Sequence, residues 1–213
     1  MSRRVPAGNR GPNRWAIGLP FAAPFYHSLF FTDEIVNGIC GRILGDGMHV
    51  DYYGTDTPVI GSEYQKVHAD IPLPFPEEPE HRHPPMTLSA RFTFGAMTMD
   101  NGPFEVAPGT QHLPRAKTLA RLEAGDAPLE QLLLNVGDLI VSDPRTPHRG
   151  TPNRSADPRP FAVIAYNRSY YFPEPREPPL EANEHTSMLL ESFYKSLSEG
   201  EQRLLRRLRR TPG

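Results

Sequence analysis

The chain has 213 residues, a formal net charge of -2 and a single cysteine. That length fits one domain with at most a small appendage. The charge lacks the basic footprint of a nucleic-acid-binding protein. One cysteine allows no internal disulfide, and no apolar run approaches the roughly 18 residues of a membrane span. The opening Met-Ser-Arg-Arg-Val-Pro has no apolar signal-peptide core, so a cytoplasmic protein in a reducing compartment is expected.

With 25 prolines and 17 glycines the chain is interrupted too often for a helix bundle, and many short strands joined by turns are favoured. Residues 1–14, rich in Arg, Gly, Pro and Asn, read as a flexible arm, followed by a single domain over 15–213. A helix is predicted over 32–44, with Thr32 as N-cap and Ile35, Ile39 and Ile43 on its apolar face. Cys40 falls within it and reads as a small buried apolar residue. Extended segments are predicted over 48–53, 64–71, 88–97, 104–107, 132–136, 139–141, 148–151 and 161–166, with Gly137-Asp138 as a hairpin signal. This is the pattern of an all-β sandwich or barrel. The chain then turns helical over 184–209. Met188, Leu189, Phe193 and Leu197 share one face, and Ser198 begins a second helix with Glu201 at capping-box spacing. The basic run 203–210 reads as the solvated face of that helix.

The sharpest chemical feature is His68-Ala69-Asp70. Residues i and i+2 of a strand point to one face, so an imidazole and a carboxylate would project together. Such a pair suits a divalent metal that takes N and O ligands, provided a later strand adds a third. Alone, His-x-Asp occurs by chance in many proteins, and its plain reading is a surface pair or a hydrogen-bonded histidine. The available partners are His81 and His83 in a Pro- and Glu-rich loop, His112, His148 and His185. His148 is best placed, between a strand-and-turn and a further strand. Arg159 opens the last strand, and its planar fork could take a carboxylate bidentately, although a lone arginine there is ordinarily a surface ion pair.

Three ordered segments carry a resemblance: Tyr-Gln-Lys-Val-His-Ala-Asp (64–70), Thr-Met-Asp-Asn-Gly-Pro-Phe-Glu-Val-Ala-Pro-Gly-Thr-Gln-His (98–112), and Gly-Asp-Leu-Ile-Val-Ser-Asp with Pro-His-Arg-Gly-Thr-Pro-Asn-Arg-Ser and Pro-Arg-Pro-Phe (137–161). Together they resemble the phytanoyl-CoA dioxygenase family of Fe(II)/2-oxoglutarate-dependent oxygenases. The resemblance implies a mainly β double-stranded β-helix of jelly-roll, cupin-like type with flanking helices. It implies Fe(II) held by His68, Asp70 and His148, and 2-oxoglutarate with its distal carboxylate on Arg159. Gln65 and Thr98 align with positions that line the co-substrate pocket, and Asn101-Gly102-Pro103 and Pro108-Gly109-Thr110 match family turns. O2 and a small organic substrate, as in secondary metabolism, would be the other reactants, with hydroxylation the default outcome. Desaturation, epoxidation or ring formation would use the same residues.

Related iron halogenases replace the carboxylate with a small residue, so Asp70 speaks against halogenation. Ala96 and the extra residue in Thr110-Gln111-His112 depart from the family pattern without touching the implied ligands. The alternative is a barrel of the same fold that binds a small molecule or partner without turnover. Specificity would lie in rim loops at 54–63, 72–86 and 111–130. Phe75, Phe92, Phe94 and Tyr166 are candidates for pocket wall or core alike.

Overall fold

The structure is a computed structural model that describes residues 11–76, 82–172, 189–208 and the backbone of 210–211. In chain order it contains β1 (Arg14–Gly18), α1 (Leu29–Thr32), α2 (Glu34–Leu44), β2 (His49–Pro58), β3 (Thr87–Thr93) and β4 (Phe104–Val106). There follow α3 (Arg115–Ala124), β5 (Glu130–Leu132), β6 (Leu139–Ser142), β7 (His148–Gly150), β8 (Phe161–Asn167), β9 (Leu189–Leu190), α4 (Glu191–Ser196), α5 (Glu199–Leu205) and β10 (Arg210–Thr211). One sheet has the strand order β1-β2-β8-β3-β6 and a second has β5-β4-β7. The two-residue strands β9 and β10 pair in parallel. Neighbours distant in sequence, such as β2 with β8, are the mark of the double-stranded β-helix and give the mainly β fold that was expected. Among the described residues no helix is long and apolar enough to cross a membrane.

The Cα positions divide into two compact units. The first comprises Met1–Ala16, Asp56–Pro84 and Phe92–Ala162. Among the described residues its core includes Met97, Phe104 and Phe161 with Leu132, Leu134 and Ile140 around them, and Val67, Ala107 and Leu122 with Leu119 and Leu129. The second comprises Ile17–Thr55, Pro85–Arg91 and Val163–Gly213. It is built on aromatics: Tyr26 stacks on Phe31 at 5.0 Å, and Phe31 meets Tyr53 edge-on at 5.2 Å. The Tyr26 hydroxyl donates to Glu201 Oε1 at 2.7 Å, and Glu201 closes the expected capping box with Ser198.

Several expectations are corrected. The N-cap of α2 is Asp33, whose carboxylate accepts from Val36 N–H at 2.8 Å; Thr32 is the last residue of α1. The buried face of α2 is Val36, Cys40 and Leu44, while Ile35 is 71% exposed. Both stripes recur at i, i+4, i+8, one position apart, so periodicity alone cannot choose between them. Gly137-Asp138 makes no β5–β6 hairpin, because β5 pairs with β4 and β6 belongs to the other sheet. Arg14 opens β1 and so is not part of the arm expected over 1–14, of which residues 1–10 lie outside the described residues. The rim loop expected over 111–130 contains α3, and 54–58 is part of β2. Tyr166 is wholly buried, whereas Phe75 and Phe94 are exposed. The basic run is only partly solvated: Arg206 donates to the carbonyls of Gly47 and Met48. Met188, His185 and the start of the helix expected over 184–209 lie outside the described residues.

The inversion of α2 has a measurable consequence. Leu44→Ala is expected to destabilise by about 2–5 kcal/mol, because it empties a buried site. Ile39→Lys on the exposed stripe should stay within about 0.5 kcal/mol. Denaturant midpoints of the two variants check this, and a large loss from Ile39→Lys would place the wrong face inward.

Candidate metal centre

The centre is built by backbone pairing. His68 and His148 face each other across an antiparallel bridge and exchange both main-chain hydrogen bonds, His68 N–H to His148 O at 3.0 Å and His148 N–H to His68 O at 2.8 Å. Asp70 N–H donates to Pro144 O at 2.9 Å, outside the register of the bridge. Residues directly opposite in such a pair project to the same face, and i, i+2 residues of one strand share it. The two imidazoles therefore lie 4.5 Å apart, centroid to centroid, with the Asp70 carboxylate beside them. Their ligand atoms all fall within 4.8 Å of one another.

Residues 64–71 are otherwise not a strand; only His68 makes a bridge. Proline is part of the reason, since Pro144 on the partner segment and Pro72 beyond carry no N–H to extend the ladder. The alternation read from the sequence nonetheless holds: Gln65 and Val67 are buried, while Tyr64 and Lys66 face out.

The donor set fits a divalent metal. Nδ1 of His68 donates to Lys66 O at 2.8 Å and Nδ1 of His148 donates to Thr146 O at 2.9 Å. A carbonyl can only accept, so in each neutral ring the proton sits on Nδ1 and the lone pair of Nε2 is turned toward Asp70. Asp70 Oδ1 stands 3.8 Å from His68 Nε2 and Oδ2 stands 3.6 Å from His148 Nε2. These separations are too long for hydrogen bonds and suit a cation between the three groups. Two imidazole nitrogens and one carboxylate form the facial set that leaves coordination positions open on iron.

Neighbours immobilise the ligands. Phe104 packs on the His148 ring at 5.0 Å and on Phe161 at 5.6 Å. Glu123 of α3 accepts the Val67 N–H at 3.0 Å, and Leu122 packs on Val67. In the turn before His148, Asp143 holds the buried Arg145 through both carboxylate oxygens, the shorter contact being 2.6 Å. Arg145 also donates to His83 O.

Arg159 is 2% exposed, and its Nη2 donates to Gly102 O at 2.6 Å. Its Nε and Nη1 are buried without a hydrogen-bond partner. Burial lowers the guanidinium to about 10, with Asp56 raising it and Arg14 lowering it further. A buried cation with two nitrogens left unpartnered is costly unless an anion meets it, so the fork fits a carboxylate ligand. Gly102 has φ +86°, and a Cβ there would meet Thr151 O at 2.8 Å, so only glycine brings this carbonyl to Arg159. Asn153 orders the approach to Arg159, its amide donating to Pro58 O and Asp157 O.

Gln65 is buried, and its Oε1 accepts from Gly150 N–H at 2.7 Å, directly after His148-Arg149. Thr98 is exposed; its N–H donates to Asn101 Oδ1, and the Asn101 amide donates to Ala96 O, which closes a turn. His83 and His112 belong to the Arg145–Asp143 surroundings, where burial and the nearby Arg145 lower His112. His81 and His185 lie outside the described residues. Sequence reasoning missed α3, although Pro114, the run Ala-Lys-Thr-Leu-Ala-Arg-Leu-Glu-Ala and Gly125 are start, body and stop signals. It also missed Arg14.

Solved structures share this fold. HygX from Streptomyces hygroscopicus, with nickel, 2-oxoglutarate and hygromycin B bound, is 15% identical with a TM-score of 0.61, over 82% of this chain and 77% of that one. EctD from S. alaskensis with bound Fe is 23% identical with a TM-score of 0.52, over 66% of this chain and 52% of that one. EvdMO1 is 21% identical with a TM-score of 0.54, and the match covers 66% of this chain but 32% of EvdMO1. By sequence, residues 22–161 match the phytanoyl-CoA dioxygenase (PhyH) family, a span that contains the His-Asp-His cluster and Arg159. The chain belongs to the phytanoyl-CoA dioxygenase family.

Proposed function

We propose that the protein is an Fe(II)- and 2-oxoglutarate-dependent dioxygenase that uses O2 to oxidise, by hydroxylation, a small organic substrate. One observation carries the reading: a buried arginine with two unpartnered N–H groups lies in the same compact unit as a His-Asp-His set whose Nε2 atoms converge. His68, Asp70 and His148 would hold the iron, and Arg159 would receive the distal carboxylate of 2-oxoglutarate. When bound, iron supplies the redox chemistry that couples oxidative decarboxylation of 2-oxoglutarate to oxidation of a substrate C–H bond.

The chain's own residues do the positioning. Lys66 O and Thr146 O hold the Nδ1 protons and so the orientation of both rings. Phe104 and Phe161 keep an apolar wall behind His148. Gln65 fixes the backbone of β7 at Gly150. A non-catalytic binder of the same fold would have no physical use for this set of ligands together with a buried, unfilled guanidinium. The substrate of HygX or EctD does not carry over at these identities. The buried Cys40, its thiol raised to about 11 by burial, is compatible with a reducing, cytoplasmic setting.

Purified anaerobically with Fe(II) and 2-oxoglutarate, the protein should develop the weak visible charge-transfer band of the chelate. His68→Ala or His148→Ala should abolish it, and an undiminished band in both would reject the ligands. Arg159→Ala should weaken 2-oxoglutarate binding by several kcal/mol while sparing metal affinity, since a charge-assisted pair is lost. Arg159→Lys should recover only part, because an ammonium lacks the planar fork.

Asp70 would hold the metal through its carboxylate, where halide binding would need a small residue instead. Product mass recorded in chloride or bromide should therefore show oxygenation alone, and Asp70→Ala should lose most succinate formation. A halogenated product from the unmodified chain would overturn the reading of the site.

A further inference from the structure

The co-substrate arginine has a neighbour that the family match does not include. Arg14, in β1, lies before the matched residues 22–161. Its side chain is 0% exposed. Its Nη1 donates to Asp56 Oδ2 at 3.2 Å, and its Nη2 donates to Thr151 O at 2.8 Å and Glu63 O at 3.4 Å. Its Nε is buried without a partner, as is Asp56 Oδ1.

The two guanidinium groups hold neighbouring carbonyls of one backbone cradle. Arg14 holds Thr151 O, the Thr151 hydroxyl donates to Pro103 O at 2.8 Å, and Arg159 holds the adjacent Gly102 O. Gly150, two residues after His148, leaves room for this arrangement: a Cβ there would collide with the Arg14 guanidinium and stand 2.7 Å from Gln65 Oε1. Among the described residues, Asp56 and Arg14 are the charged groups that act on Arg159. Two buried cations thus share a single carboxylate, and one positive charge is left uncompensated. Buried guanidinium nitrogens left without a partner are costly unless an anion meets them.

We propose that Arg14 is a positioning residue for the co-substrate: anchored by Asp56, it supplies the second positive charge of the pocket and holds the Gly150–Thr151 backbone against which Arg159 receives the distal carboxylate of 2-oxoglutarate. This rests on the dioxygenase reading above. The competing account is that Arg14 and Asp56 form a structural ion pair tying β1 to β2.

The two accounts differ in sign. As a structural pair, loss of either partner weakens everything alike. As a source of field, loss of Arg14 weakens binding of the distal carboxylate, whereas loss of the Asp56 charge strengthens it. The experiment is calorimetric titration of the Mn(II)-loaded full chain, unmodified and as Arg14→Gln, Arg14→Lys and Asp56→Asn. The ligands are 2-oxoglutarate and 2-oxobutanoate, which lacks the distal carboxylate.

Arg14→Gln should bind 2-oxoglutarate about tenfold or more weakly, or ~1.4 kcal/mol, and change 2-oxobutanoate by less than about twofold. Arg14→Lys should recover most of that loss, and Asp56→Asn should bind 2-oxoglutarate as tightly as the unmodified chain or more so. Thermal melts establish that each variant is folded. If Arg14→Gln does not fold, Arg14→Lys and Asp56→Asn still decide. Weaker 2-oxoglutarate binding in Asp56→Asn, parallel loss of both ligands, or unchanged affinity in Arg14→Gln would overturn the role of Arg14. Failure of the unmodified chain to bind 2-oxoglutarate would instead remove the dioxygenase reading on which it rests.

Discussion

The site depends on one reciprocal backbone pair, the two hydrogen bonds exchanged by His68 and His148. A side chain can be aimed only as well as its Cα is fixed, and here two ligand residues far apart in sequence fix each other. Their Nδ1 atoms then bind carbonyls two residues upstream, so the same short segments that set ring position also set ring tautomer. Asp70 follows from His68 by strand geometry, without a separate device. Proline limits the pairing to this point: Pro144 and Pro72 donate nothing, and the ligand segment stays a single bridge rather than a full strand. The rigidity that a longer ladder would provide comes instead from packing, with Phe104 behind His148 and α3 behind Val67.

Electrostatics complete the centre. Asp70 is the one carboxylate in the ligand set, and Arg159, with Arg14 and Asp56 nearby, is a cationic recess buried in the same unit. A ligand that offers chelating oxygens at one end and a carboxylate at the other would satisfy both regions at once. Each region by itself is unfavourable to leave unfilled, since buried polar groups without partners weaken the fold. Metal and co-substrate should therefore raise the stability of the protein as well as enable turnover, because both bind the folded chain alone.

Much of the site was legible in the sequence, for a physical reason. His68 and Asp70 sit at the i, i+2 spacing that any extended segment translates into a shared face, and His148 sits between turn signals that bring it to a strand edge. Arg159 was marked by the resemblance of its segment Pro-Arg-Pro-Phe to the family, since a lone arginine at a strand start ordinarily reads as a surface ion pair. Three things were not legible. The apolar face of α2 was ambiguous because two stripes obey the same period, and Ile35 outside with Val36 inside is a tertiary choice. Arg14 lies in a Gly- and Pro-rich stretch that reads as an arm, and only pairing with β2 turns it into a buried cation. Thr98, which the resemblance implies for the co-substrate pocket, is exposed on a turn closed by Asn101, and periodicity does not say where such a turn bends. The loops at 72–76 and 82–86, with exposed Phe75 against His83, are set by contacts that no periodicity encodes.

The most direct test of the central claim is a crystal structure of the full chain grown anaerobically with Fe(II) and 2-oxoglutarate, with anomalous scattering recorded at the iron edge. The account predicts one iron peak at bonding distance from Nε2 of His68, Nε2 of His148 and an oxygen of Asp70. It also predicts 2-oxoglutarate chelating that iron, with its distal carboxylate on the Nε and Nη1 groups of Arg159 that have no partner in the free protein. An iron peak elsewhere, coordination through Nδ1, or a distal carboxylate that does not meet Arg159 would contradict it.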